Sequence, residues 1–284
     1  MKLSHPMNVL GDEGRPEGRN FWAPIVIGTG VGFLSGLFGV GGGIAIVPAL
    51  VMLLHIEQRL AHGTSLAAVI PIAISGVFGY ALSDSIEWEA FFYLVMGGIA
   101  GAYLGTHLLG RISHNALRIG FSIAMIVTAL RLVIEPSTSI GVLNPPDPFV
   151  GILILGFLSG VLSGLLGVGG GIMMVPGMVL FFSFPAALAK GTSLAAVVPM
   201  AIAGTIVNLR KGNASVKLAI PIGLCGILGA FIGSRISVGM DPHLSSILFA
   251  ILLGLVALRM LVSPAQKASS DNEGPQDILD VEGG

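Results

Sequence analysis

Residues 35–50 read SGLFGVGGGIAIVPAL, and residues 163–178 read SGLLGVGGGIMMVPGM. A second pair, 60–76 (LAHGTSLAAVIPIAISG) and 188–204 (LAKGTSLAAVVPMAIAG), lies at the same offset of 128 positions. Without a gap, 11 of 16 and 13 of 17 positions are identical. The register continues from 98–105 onto 226–233 and from 129–131 onto 257–259. One duplication therefore spans nearly the whole apolar chain. Matching halves whose apolar segments are broken by Gly and Pro at corresponding places point to a transport site between two repeats.

Composition sets the solvent. Hydrophobic residues make up 54% of the chain and charged ones 10%, with a mean hydropathy of +0.91; a soluble domain carries about 25% charged residues. The charges border long neutral stretches: 24–56, 60–83, 90–110, 119–130, 148–189, 191–209, 218–234 and 244–258 contain no Asp, Glu, Lys or Arg. A helix needs about 20 residues to cross the hydrocarbon core. The expected fold is all-α and polytopic, with two homologous membrane units at 21–135 and 148–263. A polar tail (1–20), a linker (136–147) and an acidic disordered tail (264–284) flank them. No cleavable targeting segment is expected at the start. The single cysteine, Cys225, excludes an intrachain disulfide and a cysteine-based metal site.

Residues 24–55 are too long for one straight span, and Gly39, Gly41, Gly42 and Gly43 interrupt them. Glycine disfavours a helix interior by about 1 kcal/mol relative to Ala, so the cluster opens the helix. Pro48 then fits the first turn of a second helical piece. Gly167, Gly169, Gly170 and Gly171 repeat the design. Each piece is either a broken span or a hairpin returning to its own side, followed by three helices: 60–83, 90–110 and 117–133, then 188–209, 216–236 and 244–262. With Met1 inside and both pieces as hairpins, 11 Lys and Arg fall inside against three outside (Arg131, Lys190, Arg235); two full crossings give 9 against 5. The first count fits the positive-inside rule better. Matching loops also differ in sign, SDSIEWE at 83–89 against RKGNASVK at 210–217. Inverted repeats are therefore expected over eight full spans with parallel repeats. Gly97, Gly101 and Gly105, then Gly156, Gly160 and Gly164, and Gly229 with Gly233, recur every four residues and predict close helix packing.

The glycine clusters are not nucleotide loops. Ile44 and Ile172 occupy the last glycine position of GxGxxG, and no P-loop Lys-Ser/Thr follows. The glycines either permit a tight turn or expose backbone N–H groups and a helix dipole to an anion, and both can hold together. Thr64, Ser65, Thr192 and Ser193 either cap the next helix or donate to a substrate oxyanion. Pro71 and Pro199 each remove a helical hydrogen bond and read as hinges. His62 aligns with Lys190, and His107 with Arg235, so these positions are cationic or can become so in both halves. Lys190 and Arg235 either snorkel to the interface or supply positive charge. Cationic groups and donors without an intramembrane carboxylate suit an anion better than a metal ion.

The doubled GLxGVGGGxxxVP, each followed by GTSLAAVxP, resembles the TauE/SafE family, also called the sulfite exporter or TSUP family. The resemblance covers about 21–262. It implies a multi-pass protein of the bacterial inner membrane that moves sulfite, sulfoacetate or another small sulfur-containing anion; the charge count above adds a cytoplasmic N-terminus. It also implies a site at 39–43 and 167–171 with Thr64, Ser65, Thr192 and Ser193. The expected activity is a secondary transporter, an exporter of a small anion, rather than an enzyme. An anion channel and a membrane subunit of a larger complex are the alternatives. Partners are the anion and membrane lipid; proton coupling and a homo-oligomer stay open, and neither nucleic acid, metal nor cofactor is expected. His62 is the candidate proton carrier because imidazole titrates near neutral pH. In that role, His62→Gln alters the pH dependence of transport in proteoliposomes; an unchanged profile removes it.

Overall fold

The computed structural model describes residues 22–54, 56–108, 114–134, 148–166 and 170–262. The two tails and the linker expected from sequence lie outside these, as do Gly167 and Gly169. Every regular element among the described residues is an α-helix. The first half runs α1 (Trp22–Phe38), α2 (Gly43–Leu54), α3 (Gln58–Ala81), α4 (Trp88–Leu108) and α5 (His114–Ile134). The second repeats the order as α6 (Pro148–Leu166), α7 (Gly171–Phe182), α8 (Ala186–Arg210), α9 (Val216–Gly239) and α10 (Pro242–Val262). By length and composition α3, α8 and α9 are each able to cross a membrane, and the other apolar stretches are shorter.

Large apolar side chains cover the outside. Phe92, Met96, Ile99 and Tyr103 on α4, and Ile220, Leu224, Leu228 and Ile232 on α9, are all exposed at helical spacing. A water-soluble protein rarely presents such continuous stripes. In hydrocarbon they are the ordinary surface of a membrane helix.

The halves exchange partners. Helix α1 packs along α9, and α6 packs along α4. Both pairs are parallel and in close contact. Gly28, Gly32 and Gly36 abut Ile222, Gly226 and Ala230; Gly156 and Gly160 abut Leu94 and Gly98. A Cβ on any of these glycines would collide with the facing backbone. Without a hydrophobic drive between helices in lipid, such close approach gives dispersion its grip. Gly97, Gly101, Gly229 and Gly233 make the same kind of contact from the other side, as expected. The contacts of Gly105 and Gly164 lie outside the described residues.

At the centre α3 packs on both α8 and α9. Helices α3 and α8 run antiparallel: Gly76 meets Leu194, Tyr80 meets Gly191, and Leu66 meets Gly204. Two apolar cores flank this crossing. One gathers Ile46 and Leu50 of α2 with Val69 and Ile72 of α3; the other gathers Met174 and Met178 of α7 with Leu94 and Phe249.

Two local expectations need correction. Helix α2 starts at Gly43, so Pro48 falls in its second turn and not its first; Pro176 does the same in α7. Pro48 has no N–H to donate to the Ile44 carbonyl, a loss that a short helix end tolerates. The Gly-Thr-Ser runs are not helix caps either. Glu57 and Pro185 are the N-cap residues, without a side-chain cap bond, and Thr64 and Thr192 sit about two turns inside. Both α3 and α8 continue unbroken through Pro71 and Pro199.

Leucine at Gly32 or at Gly160 is expected to destabilise the fold by about 3 kcal/mol or more, because backbone cannot yield as a side chain can. Gly254, with no atom near its Cβ position, accepts Ala neutrally or with a gain of about 0.5–1 kcal/mol. Melting of the detergent-purified variants measures both.

Candidate functional site

The chain reverses at each glycine cluster. Gly39, Gly41 and Gly42 have φ of 69°, 83° and 72°, and Gly170 has 72°. Side-chain-bearing residues avoid this region at a cost of roughly 1–2 kcal/mol each. The reversal brings Gly42 against Val31 and Ser35 of α1, and Gly170 against Ser159 and Ser163 of α6. A continuing helix would have carried them away.

The two turns meet. Gly171 abuts the carbonyl of Val40, and the Val197 side chain lies against both Gly41 and Gly171. Val197 is fully buried near the middle of α8, so the meeting point is at mid-bundle. Among the described residues the N–H groups of Gly41 and Gly42 find no backbone acceptor, whereas Gly43 N–H donates to the Gly41 carbonyl at 2.9 Å.

Hydroxyls adjoin this point, with Ser35 beside Gly42 and Ser159 beside Gly170. Among the described residues the Oγ atoms of Ser35, Ser159 and Ser65 of α3, each at most 1% exposed, find no hydrogen-bond partner. A buried hydroxyl left unpaired costs about 1–3 kcal/mol, and three together call for an explanation such as a bound polar guest. Ser193 Oγ makes one weak bond, donating to the Gly171 carbonyl at 3.3 Å. Thus Gly41, Gly42, Gly170, Gly171 and Ser193 share one neighbourhood with Ser35 and Ser159, Gly39 leads into it from Lys190, Gly43 opens α2, and Ser65 is buried on α3.

Thr64 and Thr192 each accept a bond from a loop of the other half. Thr64 Oγ1 accepts from Ser215 N–H at 3.0 Å, and Thr192 Oγ1 accepts from Glu87 N–H at 2.9 Å. Beside them Gly63 abuts the Asn213 backbone and Gly191 the Ser85 carbonyl. Each Gly-Thr pair therefore docks the inter-helix loop of the other half. A reading along one chain does not see this, because each loop is more than 100 residues away.

Lys190, in the second turn of α8, is buried, whereas His62 at the corresponding place on α3 is only partly so. The Lys190 ammonium donates to Ser245 Oγ at 2.6 Å and to Ser237 Oγ at 3.2 Å. Arg235 is exposed and donates to Ser83 Oγ, which agrees with an interfacial role. Pro71 packs its ring on Gly223 of α9. Sequence reading missed Ser35, Ser159, Ser237 and Ser245. Ser35 stood in the duplicated SGL, and its match with Ser163 was the available signal.

The family model described as sulfite exporter TauE/SafE matches residues 3–132 and 152–279. The probable membrane transporter protein YunE of Bacillus subtilis is 26% identical over 259 residues, covering 82% of this chain and 93% of that one. A probable membrane transporter protein of Methanocaldococcus jannaschii is 26% identical over 254 residues, covering 84% and 94%. The probable membrane transporter protein YjnA of Bacillus subtilis is 27% identical over 250 residues, covering 84% and 98%. With the family model matching both of its halves, the chain belongs to the TauE/SafE family of membrane transporters.

Proposed function

We propose that the protein is a secondary transporter that passes a small oxyanion, sulfite or an organosulfonate, outward across the membrane. The observation that carries this reading is the pair of glycine turns in contact at mid-bundle, beside Ser35 and Ser159, whose hydroxyls find no partner among the described residues. Hydroxyls and backbone N–H groups are donors to an oxyanion. The membrane stretches hold no Asp or Glu to repel it. Buried Lys190 adds positive charge at one end of the same helix system.

The two halves act as inverted repeats in this reading. Three observations support it: α3 crosses its counterpart α8 antiparallel, each half's first helix packs on the other half's fourth, and the Thr64–Ser215 and Thr192–Glu87 bonds are reciprocal. Each glycine turn then enters from its own side of the membrane, and rocking of one half against the other exposes the site alternately. Pro71 and Pro199 are the hinges. The N-terminus is cytoplasmic.

Glu89 and Lys217 occupy corresponding, exposed first-turn positions of α4 and α9. In a Cys225→Ser background, Glu89→Cys is expected to label from outside and Lys217→Cys from inside with an impermeant maleimide. Labelling of both from one side removes the inverted arrangement. For the site itself, Gly42→Leu and Gly170→Leu are each expected to lower uptake of labelled sulfite, sulfoacetate or taurine in proteoliposomes at least about a hundredfold, the loss of preorganised donors at a buried site. Insertion and elution volume should stay unchanged. Full activity in both variants discards the glycine turns as the site.

A further inference from the structure

Lys190 is only 1% exposed. Ser237 comes from the last turn of α9 and Ser245 from the first turn of α10. The ammonium also stands 5.6 Å from the ring centroid of Phe249 and 5.8 Å from that of Phe38. Two hydroxyls and two aromatic faces therefore hold it, and none of them is an anion. Among the described residues no carboxylate pairs with it. Tyr80 of α3 adjoins the cluster: its hydroxyl donates to the Gly36 carbonyl and stands in hydrogen-bond contact with the Ser237 hydroxyl, so a neutral phenol, not an anion, completes the surroundings. Asp241 accepts from the N–H groups of His243 and Leu244, and Arg235 turns outward to Ser83.

A buried ammonium without a counter-ion is a costly arrangement. Lysine near a helix end ordinarily escapes by snorkelling to water, yet this one points inward. The duplication supplies an internal comparison. The positions 128 before Lys190, Ser237 and Ser245 hold His62, Leu109 and Leu117. The lysine and its two serines thus occur as a set at one end of the molecule and not at the corresponding place in the other half. The set also touches the central turns, since Gly39 abuts the Lys190 backbone.

We infer that Lys190, Ser237 and Ser245 form an anion-binding site at one end of the transport path, where a small oxyanion supplies the charge that the ammonium lacks. This rests on the anion-transport reading and adds to it a specific station and an asymmetry between the two sides. In the closed arrangement both serine hydroxyls accept from the ammonium. When an anion enters, the ammonium turns its donors to the oxyanion, and both hydroxyls can rotate to donate as well. Phe38 and Phe249 exclude water and stabilise the cation through their ring faces meanwhile. In the inverted topology Lys190 lies at the outer end of α8, so the site is the last station for an anion leaving the cell.

The test uses the full chain, first in detergent with sodium sulfite against sodium gluconate at constant ionic strength, then in proteoliposomes. Sulfite is expected to raise the melting temperature of the wild type. Lys190→Met, which removes the charge and keeps the stem, is expected to melt no lower than the wild type without anion and to lose the sulfite shift. Its half-saturating sulfite concentration in transport should rise at least about tenfold, the worth of one charge-assisted contact. A Ser237→Ala/Ser245→Ala chain, which keeps the charge, is expected to raise it about threefold to tenfold. Should Lys190→Met fail to fold, the serine pair reads the same site, and an unchanged half-saturation there overturns the inference. A wild type that shows no shift with sulfite overturns it too. So does a Lys190→Met protein that keeps both the shift and the wild-type half-saturation, and in that case the transport reading stands. A sulfite shift lost in Lys190→Met, with no uptake by the wild type, leaves the site standing and removes the transport reading.

Discussion

In hydrocarbon a backbone N–H or C=O without a partner costs several kcal/mol, so a helix can break at membrane depth only where protein encloses the break. That constraint organises this molecule. The helices on either side of residues 39–42 cannot face lipid at the turn. They are enclosed by α8 through Val197 and by the other glycine turn through Gly171. Here the two breaks are set against each other, so each helps to cover the other. The same enclosure that protects the backbone also creates a polar point at the centre of an apolar bundle.

Close contact between the halves follows from the same requirement. If each half folded on itself, its broken helix would lie at a free surface. Instead α1 is carried by α9 and α6 by α4, with glycine against backbone along each seam. The Gly-Thr pairs then fasten the loops of one half to the central helix of the other. Neither half is complete alone, and any relative movement of the halves passes through the turns they jointly cover. Within the buried part of the bundle, Lys190 departs from this reciprocity in charge. It puts a cation beside the start of one turn and a partly buried histidine at the other half's equivalent position.

Much of this was legible in the chain. Hydropathy and charge placed α3, α4, α8, α9 and α10 within a few residues of their observed ends, because apolar length and flanking charge are one-dimensional properties. The glycine breaks were legible because no other residue tolerates three positive φ angles in four positions. What failed was local chemistry read without its partners. Thr64 fails as a cap because α3 begins earlier, and its bond from Ser215 N–H was hidden because only folding brings that loop near. Pro48 was placed in a first turn because its missing N–H is harmless there, whereas the helix starts earlier, at Gly43. Ser35 and Ser159 drew no reading from the sequence, because only their burial without a partner among the described residues distinguishes them. The inward direction of Lys190 was equally hidden, since a lysine near a helix start is normally drawn to water.

The central claim is that two enclosed glycine turns form one polar site for an anion. An experimental structure with sulfite or a heavier oxyanion bound tests it most directly. The account predicts anion density against Gly41, Gly42 and Gly170, with an oxygen about 3 Å from the Ser35 or Ser159 hydroxyl. Density confined to lipid-facing grooves, with the turns packed dry against each other, would contradict it.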